Sequence, residues 1–151
     1  MTVPTLARHG HSVGVPPGWD ARIYRNRTGE PGAIARPILH ACDIALPAVR
    51  GDYGSGVVER LGPSNVFVAV VEFDPADAGT GLFAAPRPEA LLPEYFSPGR
   101  LQRGIPGQAG AQLFFSQHRR TFCVYVVIGS YRDRLTLAPK ANALFAAWQP
   151  Q

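Results

Sequence analysis

The stretch Arg120-Thr-Phe-Cys-Val-Tyr-Val-Val-Ile-Gly129 decides the fold. Read as a strand, it puts Phe122, Val124, Val126 and Ile128 on one face and Thr121, Cys123, Tyr125 and Val127 on the other. Neither face is polar across its width. A strand apolar on both sides belongs in the middle of a sheet that is covered on both sides. Val66-Phe-Val-Ala-Val-Val-Glu-Phe73 has the same character, with Glu72 alone breaking the run, and supplies a second central strand. The turn signal Gly62-Pro-Ser-Asn65 launches it and Asp74-Pro75 stops it.

Working outward, Ala111-Gln-Leu-Phe-Phe-Ser116 precedes the decisive stretch across the short turn Gln117–Arg120, which is a hairpin pattern. Residues 38–46 alternate as a further strand, and Ala21–Arg25 as a shorter one. After Gly129, the residues Leu137, Ala141, Leu144, Phe145 and Trp148 fall at helical spacing. Pro139 suits a first helical turn and not an interior, which predicts a helix over Ala138 to Trp148. The fold class is therefore α+β: an antiparallel sheet from strands near 21–25, 38–46, 65–73, 111–116 and 121–129. The helix covers one face and a Pro/Gly-rich insertion, residues 74–110, covers part of the other. Leu82, Phe83, Leu91, Leu92, Tyr95 and Phe96 are the expected anchors of that insertion, with short helical turns such as Pro88–Tyr95 and some mobile stretches between. Residues 1–15 read as a mobile tail and residues 16–151 as a single domain.

Composition narrows the function classes. No apolar run approaches the roughly 18 residues of a membrane span, and Met1–Val15 lacks the apolar centre of a secretory signal, so the expected setting is the cytoplasm. The formal charge is +4, almost all of it from arginine, with Lys140 the only lysine. The arginines are scattered, and only Arg100/Arg103, Arg119/Arg120 and Arg132/Arg134 come in pairs. That is a solvated surface before it is a nucleic-acid site. Cys42 and Cys123 both sit in strands, as inert packed thiols or as a cross-sheet disulfide; the sequence leaves both open.

No catalytic residue and no cofactor is assigned. His40 and Asp43 are three apart and point to opposite faces of one strand. Glu72 reads as a strand-end polar group and His118 as a solvated turn residue. Ser55 lies in Gly54-Ser-Gly56, which lacks the spacing of a nucleophile elbow. His9 and His11, in the tail, read as solvated rather than as metal ligands, and two cysteines without matching histidines make no zinc site. The loop Arg50-Gly-Asp-Tyr-Gly-Ser-Gly56 lacks the lysine and spacing of a nucleotide loop and reads as a connection. The tract Gly104-Ile-Pro-Gly-Gln-Ala-Gly110 sets Gln108 among glycines that permit close backbone approach. A ligand pocket, if there is one, is expected between Gln108, Tyr125 and Trp19.

The order of these features — Pro-Gly-Trp19, two strong central strands, a long insertion, a hairpin with Arg119-Arg120 at its turn, a C-terminal helix — resembles the layout of Mog1/PsbP-type α+β proteins. The chain also resembles small actinobacterial proteins. Members of the Mog1/PsbP type act mostly as binding or assembly modules, which implies a non-catalytic interaction module docking to a protein partner or to its own copy. Arg100, Arg103, Tyr95 and Phe96 are the candidate partner-facing residues. The alternatives are a small-molecule binder or enzyme with its site under residues 74–110, and a nucleic-acid binder using the arginine pairs.

Overall fold

A computed structural model describes residues 3–27 and 29–151. In chain order the elements are β1 (Thr5–Arg8), β2 (His11–Gly14), β3 (Asp20–Arg25), β4 (Pro37–Cys42), β5 (Val66–Glu72), β6 (Ala109–Gln117), β7 (Arg120–Ile128), α1 (Arg134–Ala146) and β8 (Trp148–Pro150). Strands β3-β4-β5-β7-β6 form one antiparallel sheet, in that order, and β1-β2-β8 form a second, smaller one. The two doubly apolar strands lie side by side, Val66 opposite Ile128 through Glu72 opposite Phe122. Every residue of β5 is buried.

The alternation divides the core in two. Val66, Val68, Val70, Val124, Val126 and Ile128 pack beneath Leu137, Ala138, Ala141, Leu144 and Phe145 of α1. On the other face Phe67, Ala69, Val71, Cys123, Tyr125 and Val127 pack with Ile38 and Cys42 beneath loops. Both cysteines are free, and burial pushes each thiol up to about 11. The register aligns Cys123 with Ile38 but Cys42 with Val127, by way of Val71 and Phe67. They therefore stand two strands and four residues apart, roughly 16 Å at ordinary sheet spacings, too far to bridge.

Three features depart from the sequence reading. First, the described part of the supposed N-terminal tail is a hairpin, β1–β2, whose inner strand pairs with β8; Met1 and Thr2 lie outside the described residues. His11 is fully buried there rather than solvated. Its Nε2–H donates to Glu72 Oε1 (2.9 Å), and its Nδ1 accepts from the Trp148 indole (3.0 Å). Arg120 grips both Glu72 oxygens at 2.9 Å and also donates to the backbone carbonyls of Gly10 and Gln151. Burial alone would raise the Glu72 carboxyl, but the bonds from His11 and Arg120 and the guanidinium charge outweigh it and bring it down to about 2.

Second, α1 begins four residues early and Pro139 lies in its interior. The proline leaves the Leu135 carbonyl without its helical partner. Leu135 is 74% exposed, so the gap falls on the solvent-facing side of the helix. Trp148 is buried as expected, but from β8 and not from the helix. Arg87 lies over Phe145 and Trp148, 4.4 and 4.9 Å from the ring centres, and donates to both of their carbonyls, closing the helix C-terminus.

Third, residues 74–110 cover both faces instead of one. The segment crosses the outer edge of β6 at Pro86/Ser116 and again at Ser97/Gly110. Between those crossings it gives Leu91 and Phe96 to the helix-side core; beyond the second it gives Leu101 and Ile105 to the opposite core. Of the expected anchors, Phe83, Leu91 and Phe96 are buried, while Leu82 and Leu92 are exposed. Asn142 replaces the missing apolar grip by bonding both backbone groups of Leu91.

The β6–β7 turn is His118-Arg119, both at positive φ (53° and 60°). Such a two-residue turn matches the twist of the strands but favours Asn-Gly, because side chains at positive φ are strained. Arg119→Gly is therefore expected to stabilise the domain by about 0.5–1 kcal/mol, read as a higher thermal midpoint with an unchanged circular dichroism spectrum. An unchanged or lower midpoint contradicts this turn geometry.

Candidate functional site

The loop-covered face of the sheet holds a cavity of about 260 Å³. Its floor is the β7 face carrying Tyr125 and Val127. One wall is the glycine-rich loop 51–59, and the other is the tract 101–108. Most of the lining is apolar, from Val58, Leu101, Ile105 and Val127.

The glycine loop has its shape because no other residue fits it. Gly54 sits at φ +91°, and a Cβ there would stand 2.6 Å from the Phe67 ring. Gly56 sits at φ +98°, where a Cβ would meet the Val49 carbonyl at 2.9 Å. The Gly54 carbonyl accepts from the amides of both Val57 and Val58 and turns the chain into a short 3-10 helix, Val58–Arg60. What reads in sequence as a mere connection is thus a built wall.

His40 anchors that wall from below. Fully buried on β4, it takes Arg50 Nε–H at Nδ1 (2.9 Å) and donates its Nε2–H to the Asp52 carbonyl (2.8 Å). This pattern requires the neutral ring with its proton on Nε2. Tyr24 donates to the Asp52 carboxylate (2.9 Å), holding the loop from the side. The strand expected over 38–46 ends at Cys42, and Asp43, just beyond it, turns to the helix side, where it pairs with Lys140 and accepts from the Val66 amide. His40 is therefore a core histidine that positions a loop.

Of the polar side-chain atoms buried around the cavity, all but one are hydrogen-bonded; Ser55, Gln102 and Arg103 lie at its exposed rim. The Tyr125 hydroxyl accepts from the Gln102 amide (2.8 Å), and its ring meets that of Tyr53 edge-on at 5.5 Å. Glu59 accepts from Gly56 N–H (2.8 Å) and faces Arg103 at 3.6 Å, tying the two walls together at the surface. The Gln108 side-chain amide donates from Nε2 to the Val58 carbonyl (2.9 Å). That bond fixes the orientation of the amide and leaves Oε1 without a partner. Gln108 is 4% exposed, and its Oε1 is the one buried side-chain polar atom without a hydrogen bond among the described residues. A buried acceptor in this state costs about 1–3 kcal/mol.

The site gathers two of the three residues expected to line a pocket. Gln108 and Tyr125 share the cavity; Trp19 does not. The turn Pro16-Pro17-Gly18 returns the Trp19 amide to the Pro16 carbonyl and sends its ring to the helix-side core, across the sheet. Tyr53, Val58, Leu101 and Ile105 were missed, because what unites them is the fold of two loops far apart in sequence. Of the residues expected to face a partner, Phe96 is 2% exposed and belongs to the core, Tyr95 is half-buried, Arg100 donates to the Tyr95 carbonyl and Arg103 is exposed. Arg120 is committed to Glu72. No helix is long and apolar enough to cross a membrane among the described residues.

The chain matches no family model, no curated protein and no solved structure.

Burial lowers the His40 pKa to about 4, with Arg50 adding to the shift and the Asp52 carbonyl opposing it. Because the folded value lies below the ordinary 6.5, the stabilisation is complete above about pH 6.5 and is lost as pH falls through about 4. The His40 ring signal in NMR should titrate near 4, and the Asp52–Val58 amides should lose exchange protection, corrected for intrinsic rates, over the same interval. A titration near 6.5 with no change in the loop contradicts the anchoring role.

Proposed function

We propose that this protein binds a small molecule in the cavity between residues 51–59 and 101–108, without a catalytic step. One observation carries the reading: Gln108, whose Oε1 is buried and unbonded, lines a cavity with a mainly apolar surface. Folding leaves that acceptor at a cost, and a bound donor recovers it. The cavity is larger than the roughly 150 Å³ that suffices for benzene and a little below the roughly 300–1,000 Å³ usual for drug-sized ligands. Its buried polar groups, the Tyr125 hydroxyl and Gln108 Nε2, are bonded internally, which suits a binding pocket better than a site that must move protons.

The exposed Glu59–Arg103 pair bridges the walls at the surface. Exposed pairs of this kind contribute about 0–1 kcal/mol, so opening there costs little and offers a route in. The interaction-module reading has less support, since its candidate residues are divided between core and surface.

The test is a fragment screen by protein-observed NMR, with Val127→Phe as the control. The larger side chain projects into the cavity and should leave the fold intact while weakening binding at least tenfold. Shifts confined to residues 51–59, 101–108, Tyr125 and Val127 in the parent, and absent in the variant, are expected. No fragment perturbing these residues, or equal binding by the variant, overturns the proposal.

A further inference from the structure

The geometry points to a specific ligand class for this cavity: a neutral, flat, mainly hydrocarbon molecule of one or two rings bearing a single N–H or O–H donor, of the indole or phenol type. This rests on the binding reading above and adds the chemistry that selects the ligand. Four observations converge on it.

The first is polarity of the unmet demand. Gln108 presents Oε1, because Nε2 is held by the Val58 carbonyl. An acceptor needs a donor, so ketones, ethers and other ligands that only accept leave it unmet. The second is charge. The one cation on the lining, Arg103, faces Glu59 at the surface and is largely exposed. A carboxylate or phosphate in the interior would meet the Gln108 oxygen and apolar walls with no compensating cation. The two carboxylates on the lining are already engaged, Asp52 by the Tyr24 hydroxyl and Glu59 by the Gly56 amide and Arg103, so an ammonium beside Gln108 would be desolvated with one neutral acceptor as its partner. The third is shape. The Tyr53 and Tyr125 rings meet at an interplanar angle of 82°, so two aromatic surfaces border the space at right angles, a setting for a further ring edge-on or face-on. The fourth is number. Val58, Leu101, Ile105 and Val127 offer no side-chain polar atoms, and Ser55, Glu59, Gln102 and Arg103 are exposed at the rim, so Gln108 Oε1 is the one unmet buried acceptor and a second donor set deep in the site would lack a partner. A single water on Oε1 finds few of the two to four partners that hold an internal water.

A matched pair tests this. Indole and indene have nearly the same size and shape, but only indole carries the N–H. Binding of each to the full chain is measured by NMR titration. Indole is expected to bind about tenfold or more tightly than indene, with contacts from the indole N–H proton to the Gln108 side-chain amide. In Gln108→Met, which keeps the bulk and removes the acceptor, the preference should fall to within about twofold. Equal affinity for both compounds in the parent overturns the donor requirement while leaving small-molecule binding standing. Preference retained in Gln108→Met overturns the assignment to Gln108. Binding of neither compound overturns this ligand class, and the fragment screen then decides the proposed function on its own. If the variant does not fold, the indole-to-Gln108 contact in the parent decides: its presence supports the assignment, and its absence with indole bound overturns it.

Discussion

Two neighbouring strands with no polar face impose the constraint on which the rest of this structure depends. β5 and β7 must be shielded from water on both sides, so the chain must supply two covers. Only one can come from the C-terminal helix, whose apolar stripe is continuous and fits one face of the sheet. The other has to be assembled from loops. Loops carry backbone groups that must bond locally, and their shape is limited by glycine geometry at Gly54 and Gly56. They cannot mould themselves to the sheet as a helix row does, and the space they leave over Tyr125 and Val127 is the cavity. The binding site is thus a consequence of how the second cover is built.

The same constraint explains where the buried polar groups sit. On the helix side, at one end of the sheet, Glu72 would be an uncompensated charge but for Arg120 and His11. Those partners fasten the N-terminal hairpin, β8 and the β6–β7 hairpin to one carboxylate. Removing Arg120 would leave the Glu72 charge stranded, which costs far more than the pair itself contributes. On the loop side His40 performs the corresponding task without charge, as a neutral ring that accepts from Arg50 and shares its Nε2–H between the Asp52 carbonyl and the Tyr24 hydroxyl. Both clusters are satisfied. Gln108 is the exception, and that contrast is what makes it informative.

Much of this architecture was legible in the amino-acid sequence. The central strands, the β6–β7 hairpin and the existence of a C-terminal helix follow from alternation and spacing, which are local properties. The N-terminal hairpin was not legible, because β1 and β2 are four residues each and their pattern is mixed. His11 becomes a core residue only through Glu72, 61 positions away. Pro139 misled because its cost depends on whether the Leu135 carbonyl reaches water, which a sequence does not state. At the site, Gln108 stood out from its glycine neighbours and Tyr125 from its strand position. Trp19 was misplaced because the turn before it, and not its own chemistry, selects the face of the sheet.

Amide hydrogen exchange, residue by residue, tests the central claim most directly. The account predicts that the amides of β5 and β7 exchange slowest, and at one common rate set by global unfolding. The amides of the covering loops, 51–58 and 101–108, exchange faster, through local opening. Rapid exchange along β5 and β7, or loops as protected as those strands, would contradict a doubly covered sheet with one helical and one loop-built cover.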